Sequence, residues 1–210
     1  MRQAEPSRRG WRLLKWLERL FLVGGAAALV WCAYVASTSY VAQRFARERL
    51  QWAPPTNASA SPPVETSPSS TARSSVAVGT PLAELSIPRL GLSAVVFQGS
   101  DDHTLRQGLG HIETTPLPGE RGNVAIAGHR DSFFRPLQNV QVGDDIWVDT
   151  VEDRAHYRVS WSRVVKPDEI SVIGPTSVAA LTLVTCHPFR FIGRAPDRFI
   201  VRAIRVEDSQ

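Results

Sequence analysis

The chain has 210 residues, 43% of them hydrophobic and 21% charged, an ordinary globular composition that excludes a disordered or fibrous protein. Its net charge of +4 is unevenly spread: residues 1–52 hold nine Arg or Lys against three Glu, net +6, leaving 15 basic and 17 acidic residues beyond, net −2. The body of the protein is therefore slightly acidic, which argues against a nucleic-acid partner, since its electrostatic footprint belongs on the folded part. Two cysteines, Cys32 and Cys186, exclude a disulfide framework and an all-cysteine metal site.

In chain order, residues 1–19 are a basic segment, and residues 20–43 form a run of 24 positions without a charge. About 20 residues at 1.5 Å each cross a hydrocarbon core of about 30 Å, so this run predicts a transmembrane helix. Arg2, Arg8, Arg9, Arg12, Lys15 and Arg19 precede it, whereas Arg44, Arg47 and Arg49 follow, a bias that puts the N-terminus in the cytoplasm. A cleavable signal peptide is the competing reading, disfavoured by the length of the run and the lack of a small-x-small cleavage site after it. Cys32, behind the bulky Trp31, fits poorly as a lipidation cysteine and reads as a buried apolar thiol.

Residues 44–81 read as a juxtamembrane segment and a linker. Pro54, Pro55, Pro62, Pro63, Pro68 and Pro81 stand among Ser, Thr and Ala, a composition that cannot bury enough apolar surface to offset its chain entropy.

Residues 82–210 read as a mainly β domain large enough for its own core. Strands are expected over 85–87, 94–97, 124–127, 146–149, 157–165, 181–186 and 199–206. Tyr157, Val159 and Trp161 alternate with Arg158, Ser160 and Ser162, the period-two pattern of a half-buried strand. Turn signals such as Pro118-Gly119, Gly143-Asp144 and Gly174-Pro175 separate the runs, and one short helix is expected over 102–107, opened by Asp and stopped by Gly108. Many short strands with turns between them predict a sandwich or barrel.

Cys186 ends an apolar strand and is followed by His187-Pro188, where proline terminates pairing and a loop gives access. A lone buried cysteine is more often structural, so its partners decide the reading. Nucleophilic use of a thiol requires a proton-transfer partner and a stabiliser for the oxyanion. Among the five histidines, His103 lies in an acidic, exposed run, His111 in a Gly-rich loop and His156 among charged residues at a strand edge. His187 adjoins Cys186, but successive strand side chains point to opposite faces. His129 is better placed, just past the apolar strand 123–127.

If the strand ending at Cys186 and the strand starting near Arg198 are antiparallel neighbours, the end of one lies beside the start of the other and Arg198 faces the thiol. Arg202, four residues on, would be about 13 Å away. Arg190 and Arg194 in the connecting loop are the alternatives, and a solvated surface role is the ordinary fate of most arginines. A guanidinium suits a peptide carbonyl and the charge that develops on it.

These residues carry a resemblance. Thr182-Leu183-Val184-Thr185-Cys186 with Arg198 twelve residues on, and Gly128-His129-Arg130 upstream, resemble the sortase family of membrane-anchored cysteine transpeptidases. The likeness extends through Leu105-Arg106-Gln107-Gly108, Gly110-His111-Ile112, Pro118-Gly119 and the run 123–131. Gly-His-Arg-Asp and Pro196-Asp197-Arg198-Phe199 resemble class D most closely. Residues 53–100 lack the Asp-Pro-Trp or Asp-Pro-Phe lid of pilus-building members.

The resemblance implies an eight-stranded sortase-type β-barrel with Cys186, His129 and Arg198 as catalytic residues. It implies cleavage of a Leu-Pro-x-Thr-Gly-like signal after its Thr: Cys186 attacks, His129 protonates the leaving amine, Arg198 holds the oxyanion, and an amine resolves the thioester. The implied partners are secreted proteins with a C-terminal sorting signal, and an amine from the cell wall or another protein. The enzyme would sit in the cell membrane with its catalytic domain outside. No cofactor or metal is expected: no His-x-x-x-His pair occurs, and Asp144, Asp145, Asp149 and Asp153 fit no standard calcium loop. Asp131 reads as a turn residue rather than the orienter of His129. Two rivals are an L,D-transpeptidase, whose Ser-His-Gly-Cys is missing, and an inactive envelope-binding domain, which predicts a missing member of the trio.

Overall fold

The computed structural model describes residues 15–33, Arg44, Glu48 and residues 76–206; the linker expected over 44–81 and the second half of the expected membrane helix fall largely outside them. The chain divides into two compact units, 1–41 and 42–210. In the first, helix α1 spans Lys15–Ala33 and is long and apolar enough to cross a membrane. It starts earlier than the uncharged run, so that Lys15, Glu18 and Arg19 form its first turns. Its side chains are exposed along its length. A helix apolar all round needs an apolar surrounding to cover it.

The second unit is a closed barrel of eight strands in the order β1-β2-β3-β4-β7-β8-β6-β5. These are β1 (Pro81–Ile87), β2 (Leu92–Gln98), β3 (Leu109–His111), β4 (Asn123–Ala127), β5 (Asp145–Asp149), β6 (Arg154–Val165), β7 (Ala180–His187) and β8 (Asp197–Arg205). Closure leaves no sheet edge unpaired. Helix α2 (Asp102–Gln107) begins as the sequence predicts: the Asp101 carboxylate accepts from the His103 and Thr104 amides, satisfying donors that a helix start leaves open. It carries the chain from β2 to β3, which run parallel. The other parallel pair is β4 and β7, and every other pairing is antiparallel.

The core lies inside the barrel. Alternation along the strands sends Leu85, Val96, Ile126, Ile146, Tyr157, Leu181, Leu183 and Val201 inward, all essentially inaccessible to solvent. Each such side chain contributes roughly 1.5–3 kcal/mol by burial. Phe134 and Leu137, at a 3₁₀ helix over Arg135–Asn139, join the same cluster.

Three local expectations change. His111 is not in a loop but in β3, 1% exposed and paired across from Ile126. This strand is short and glycine-containing for a reason: a Cβ on Gly110 would lie 2.4 Å from the Gly99 carbonyl oxygen. His156 has a backbone partner on both sides rather than standing at an edge: it pairs with Trp147 of β5, and its carbonyl accepts from the Val206 amide just past β8 at 2.8 Å. A bulge between Val159 and Trp161 breaks the alternation of β6, so that Val159 faces Ala203 of the core whereas Trp161 stands opposite Arg202, on the outer face.

Candidate active site

The ends of three strands converge on Cys186. β7 and β8 are antiparallel in a register that sets Cys186 directly across from Arg198. β4 runs parallel to β7 with Ala127 level with Val184, and the Gly128 amide donates to the Val184 carbonyl at 3.1 Å. Two residues on from each, His129 lies just past the end of β4 and Cys186 is the penultimate residue of β7, at the same end of the barrel. The Thr185 hydroxyl, buried, donates to the Gly128 carbonyl at 2.7 Å, tying the residue before the cysteine to the residue before the histidine. The structure thus brings Cys186, His129 and Arg198 to one end of the barrel.

Gly128 is required by space. A Cβ there would lie 2.6 Å from Cδ2 of Phe134 and 2.8 Å from Cδ2 of Leu109. The chain passes so close to the core that only glycine fits, and it turns immediately afterwards, with the Ser132 and Phe134 amides donating to the His129 carbonyl. Asp131 sits in this turn, exposed.

The thiol of Cys186 is free and partly exposed. Arg198, also partly exposed, donates through Nη1 to the carbonyls of Asp197 at 3.0 Å and Ala195 at 3.5 Å. Among the described residues it has no carboxylate partner; Asp197 is taken by Lys166 at 2.8 Å. Its remaining donors are therefore uncommitted. His187 faces away, as alternation requires, stacking on Phe199 at 6.3 Å and meeting Phe189 edge-on at 6.0 Å. Arg190 and Arg194 lie exposed in the loop between β7 and β8.

Arg130, whose role the sequence did not suggest, spans that loop. Its Nη1 donates to the Pro188 carbonyl at 3.0 Å, and its Nη2 to those of Phe191 at 2.8 Å and Gly193 at 3.1 Å. The guanidinium also sits 5.8 Å from the centroid of the Phe191 ring. The residue after His129 thus holds the segment after Cys186, so both flanks of the site share one support. Its position beside His129 in Gly-His-Arg was the available signal.

On the outer face, the rows running from Cys186 are Val184 with Ile200 and Ala127, then Thr182 with Arg202 and Ala125. The first row is an apolar strip and the second is closed over by the 3₁₀ helix Ile170–Ile173. A buried network fixes this cover: Thr182 donates to Asn123 Oδ1 at 2.6 Å, and Asn123 Nδ2 donates to the carbonyls of Val172 at 3.2 Å and Gly174 at 2.9 Å. Among the described residues, no cluster of His, Cys, Asp and Glu is arranged to hold a metal ion.

The chain is similar to known proteins. The family model described as a Sortase domain matches residues 85–206. Sortase D of Bacillus subtilis (strain 168) is 31% identical over 123 residues, 58% of this chain and 62% of that relative, so the chain covers less than two thirds of the curated relative's length. A solved Clostridium perfringens Sortase D5 transpeptidase aligns with a TM-score of 0.58 at 32% identity, over 63% of this chain and 83% of that one. A pilus-related Sortase C of Group B Streptococcus aligns with a TM-score of 0.56 at 28% identity, over 62% of this chain and 70% of that one. A matched family model covering more than half of the chain, and a barrel shared with these structures, make this protein a member of the sortase family, with class D among its relatives.

Proposed function

We propose that this protein is a membrane-anchored cysteine transpeptidase that cuts a Leu-Pro-x-Thr-Gly-like sorting signal and transfers the acyl part to an amine. The observation that carries this reading is the cross-strand pair of Cys186 and Arg198, with His129 leaving β4 at the same level. A thiol, an imidazole and a fork of uncommitted donors are the three parts that acyl transfer through sulfur requires.

In this reading the Cys186 thiolate attacks the carbonyl carbon of the signal's Thr, and Arg198 donates to the oxygen as it takes up negative charge. His129 gives its proton to the departing nitrogen, the peptide bond breaks and a thioester remains on Cys186. An incoming amine then attacks the thioester and loses its proton to His129. Sulfur leaves as thiolate and a new peptide bond is made, so the energy of the broken bond is carried over without a cofactor.

Helix α1 anchors the enzyme as a single pass with residues 1–19 in the cytoplasm, residues 44–81 act as a tether, and residues 82–210 form the catalytic domain outside. The flanking charges support this orientation. The substrates are secreted proteins bearing a C-terminal sorting signal, and the acceptor is an amine of the cell wall or of another protein. The test is to incubate the full chain, in detergent micelles, with a pool of Leu-Pro-x-Thr-Gly-like peptides and an added amine. Amine-dependent ligated product, lost in Cys186→Ala, is expected; its absence, or full activity in Cys186→Ala, would overturn the reading.

A further inference from the structure

The loop between β7 and β8 holds an apolar tip out in solvent. Phe189 packs inward, edge-on to Phe199 at 5.3 Å and to His187 at 6.0 Å. Arg130 grips the carbonyls of Pro188, Phe191 and Gly193, and Gly193 turns the chain at a φ of +99°, a conformation that favours glycine. Between these fixed points Ile192 is 101% exposed and Phe191 is 47% exposed. One exposed apolar side chain is ordinary on a protein surface. Ile192 differs because both its neighbours are clamped, so the tip is already ordered for a contact and still points away from the barrel.

The flanks of that tip are cationic. Residues 187–196 hold Arg190 and Arg194 and no acidic residue, in a chain that is net −2 beyond residue 52. Both arginines are exposed, and among the described residues neither has a carboxylate partner. Asp197, the next acidic residue along the chain, is held by Lys166 at 2.8 Å. An aliphatic tip between two unpaired guanidiniums suits a lipid–water boundary. The apolar side chain enters the acyl region, and the long arginine stems let their heads stay among anionic headgroups.

A protein partner matches this surface less well. A specific protein interface buries about 800 Å² on each side, far more than one isoleucine and part of a phenyl ring offer. A bilayer takes a protruding tip without a complementary shape, and helix α1 is long and apolar enough to hold the chain at one.

We propose that the β7–β8 loop docks on the membrane surface, with Ile192 and Phe191 at the acyl boundary and Arg190 and Arg194 on anionic lipid headgroups. The inference rests on the proposed function only for the anchor that brings the domain to a bilayer, and it needs no particular substrate. Ile192 stands six residues from Cys186 and six from Arg198. Docking therefore holds the thiol within about 20 Å of the headgroups, because six residues of chain reach no further. The catalytic end of the barrel then works at the bilayer surface instead of ranging as far as the tether allows.

The test uses the full chain with Cys32→Ala and Cys186→Ala, in phosphatidylcholine vesicles with or without phosphatidylglycerol. A thiol-reactive, polarity-sensitive fluorophore is placed on Ile192→Cys or, as the control, on Val151→Cys. Val151 is half exposed in the turn between β5 and β6, at the opposite end of the barrel. Spin-labelled lipids are expected to quench the label at 192, and not at 151, when phosphatidylglycerol is present. Arg190→Gln with Arg194→Gln is expected to lower the ratio of docked to undocked loop about 30-fold, or about fivefold for each cation near an anionic surface. Equal quenching at 192 and 151, or quenching at 192 that survives the omission of phosphatidylglycerol or the loss of both arginines, overturns the docking. Alkaline extraction of the same vesicles reads the anchor. A chain retained without contact at 192 sinks the docking and leaves the anchor standing. Contact at 192 in a chain that alkali releases does the reverse, and release without contact overturns both.

Discussion

Cys186 and Arg198 face each other as a directly opposed antiparallel pair on β7 and β8. Opposed residues share one face, with Cβ atoms about 4.5–5.5 Å apart, so a long side chain on one overhangs the other. Arg198 spends Nη1 on the Asp197 and Ala195 carbonyls, which fixes its stem and leaves other donors for an oxygen above the thiol. Arg198→Lys keeps the charge and loses the fork. Its ligation rate should fall by about 100-fold with the melting temperature unchanged. His129→Ala should lose about 100- to 10,000-fold, the range for a missing general acid–base. Ligation assays beside thermal melts check both, and a rate loss that tracked the loss of folded protein would count against these roles.

Arg130 donates to three carbonyls of the segment that follows Cys186. Arg130→Lys cannot reach all three from one ammonium. Because the clamp positions the site rather than touching the reacting atoms, the variant should lose about tenfold in kcat while melting within a few degrees of the wild type. Limited proteolysis should cut faster between residues 189 and 194. An unchanged digestion pattern would remove the argument for a clamp.

Gly128→Ala places a methyl 2.6 Å from Phe134, inside the core. The strand must shift or the phenyl ring must move, an overpacking cost of about 1–3 kcal/mol. Urea denaturation should show that loss. Ligation should fall further than stability alone explains, since His129 follows directly.

His111 is buried with both ring nitrogens engaged: Nδ1 lies 2.8 Å from the Gln98 carboxamide and Nε2 lies 2.8 Å from the Pro116 carbonyl. Burial holds it below its ordinary 6.5, so the unfolded chain binds the proton more readily than the folded one. Its contribution is therefore complete above about pH 6.5 and declines as the pH falls toward the folded value. The depressed carboxylates Asp101 and Asp144 lose theirs only lower, below 3.8. Denaturation midpoints should thus drop between pH 7 and pH 5. His111→Gln should flatten that interval, and an equal drop in the variant would assign the effect elsewhere.

Much of this fold was legible in sequence because its signals are local. The β-branched runs gave seven of the eight strands of the barrel, and Asp101 with Gly108 marked both ends of α2. β3 was missed because three residues with a central glycine carry no periodicity, and its existence depends on partners on both sides. Trp161 was read as facing inward because alternation holds only until a bulge, and a bulge is set by the partner strand. At the site, the facing of Cys186 and Arg198 follows from strand ends alone. The Arg130 clamp, the Asn123 network and the contact of Arg202 with the Trp161 ring join residues more than 25 positions apart, and no local pattern announces them.

The central claim is that Cys186 carries the acyl group. Intact-mass analysis of the full chain, mixed with a Leu-Pro-x-Thr-Gly-like peptide and quenched in acid before any amine is added, tests it directly. The account predicts a mass increase equal to the peptide up to its Thr, mapped to Cys186, discharged by an added amine and absent from Cys186→Ala. Amine-dependent ligation with no adduct on Cys186, or an adduct that survives Cys186→Ala, would contradict it.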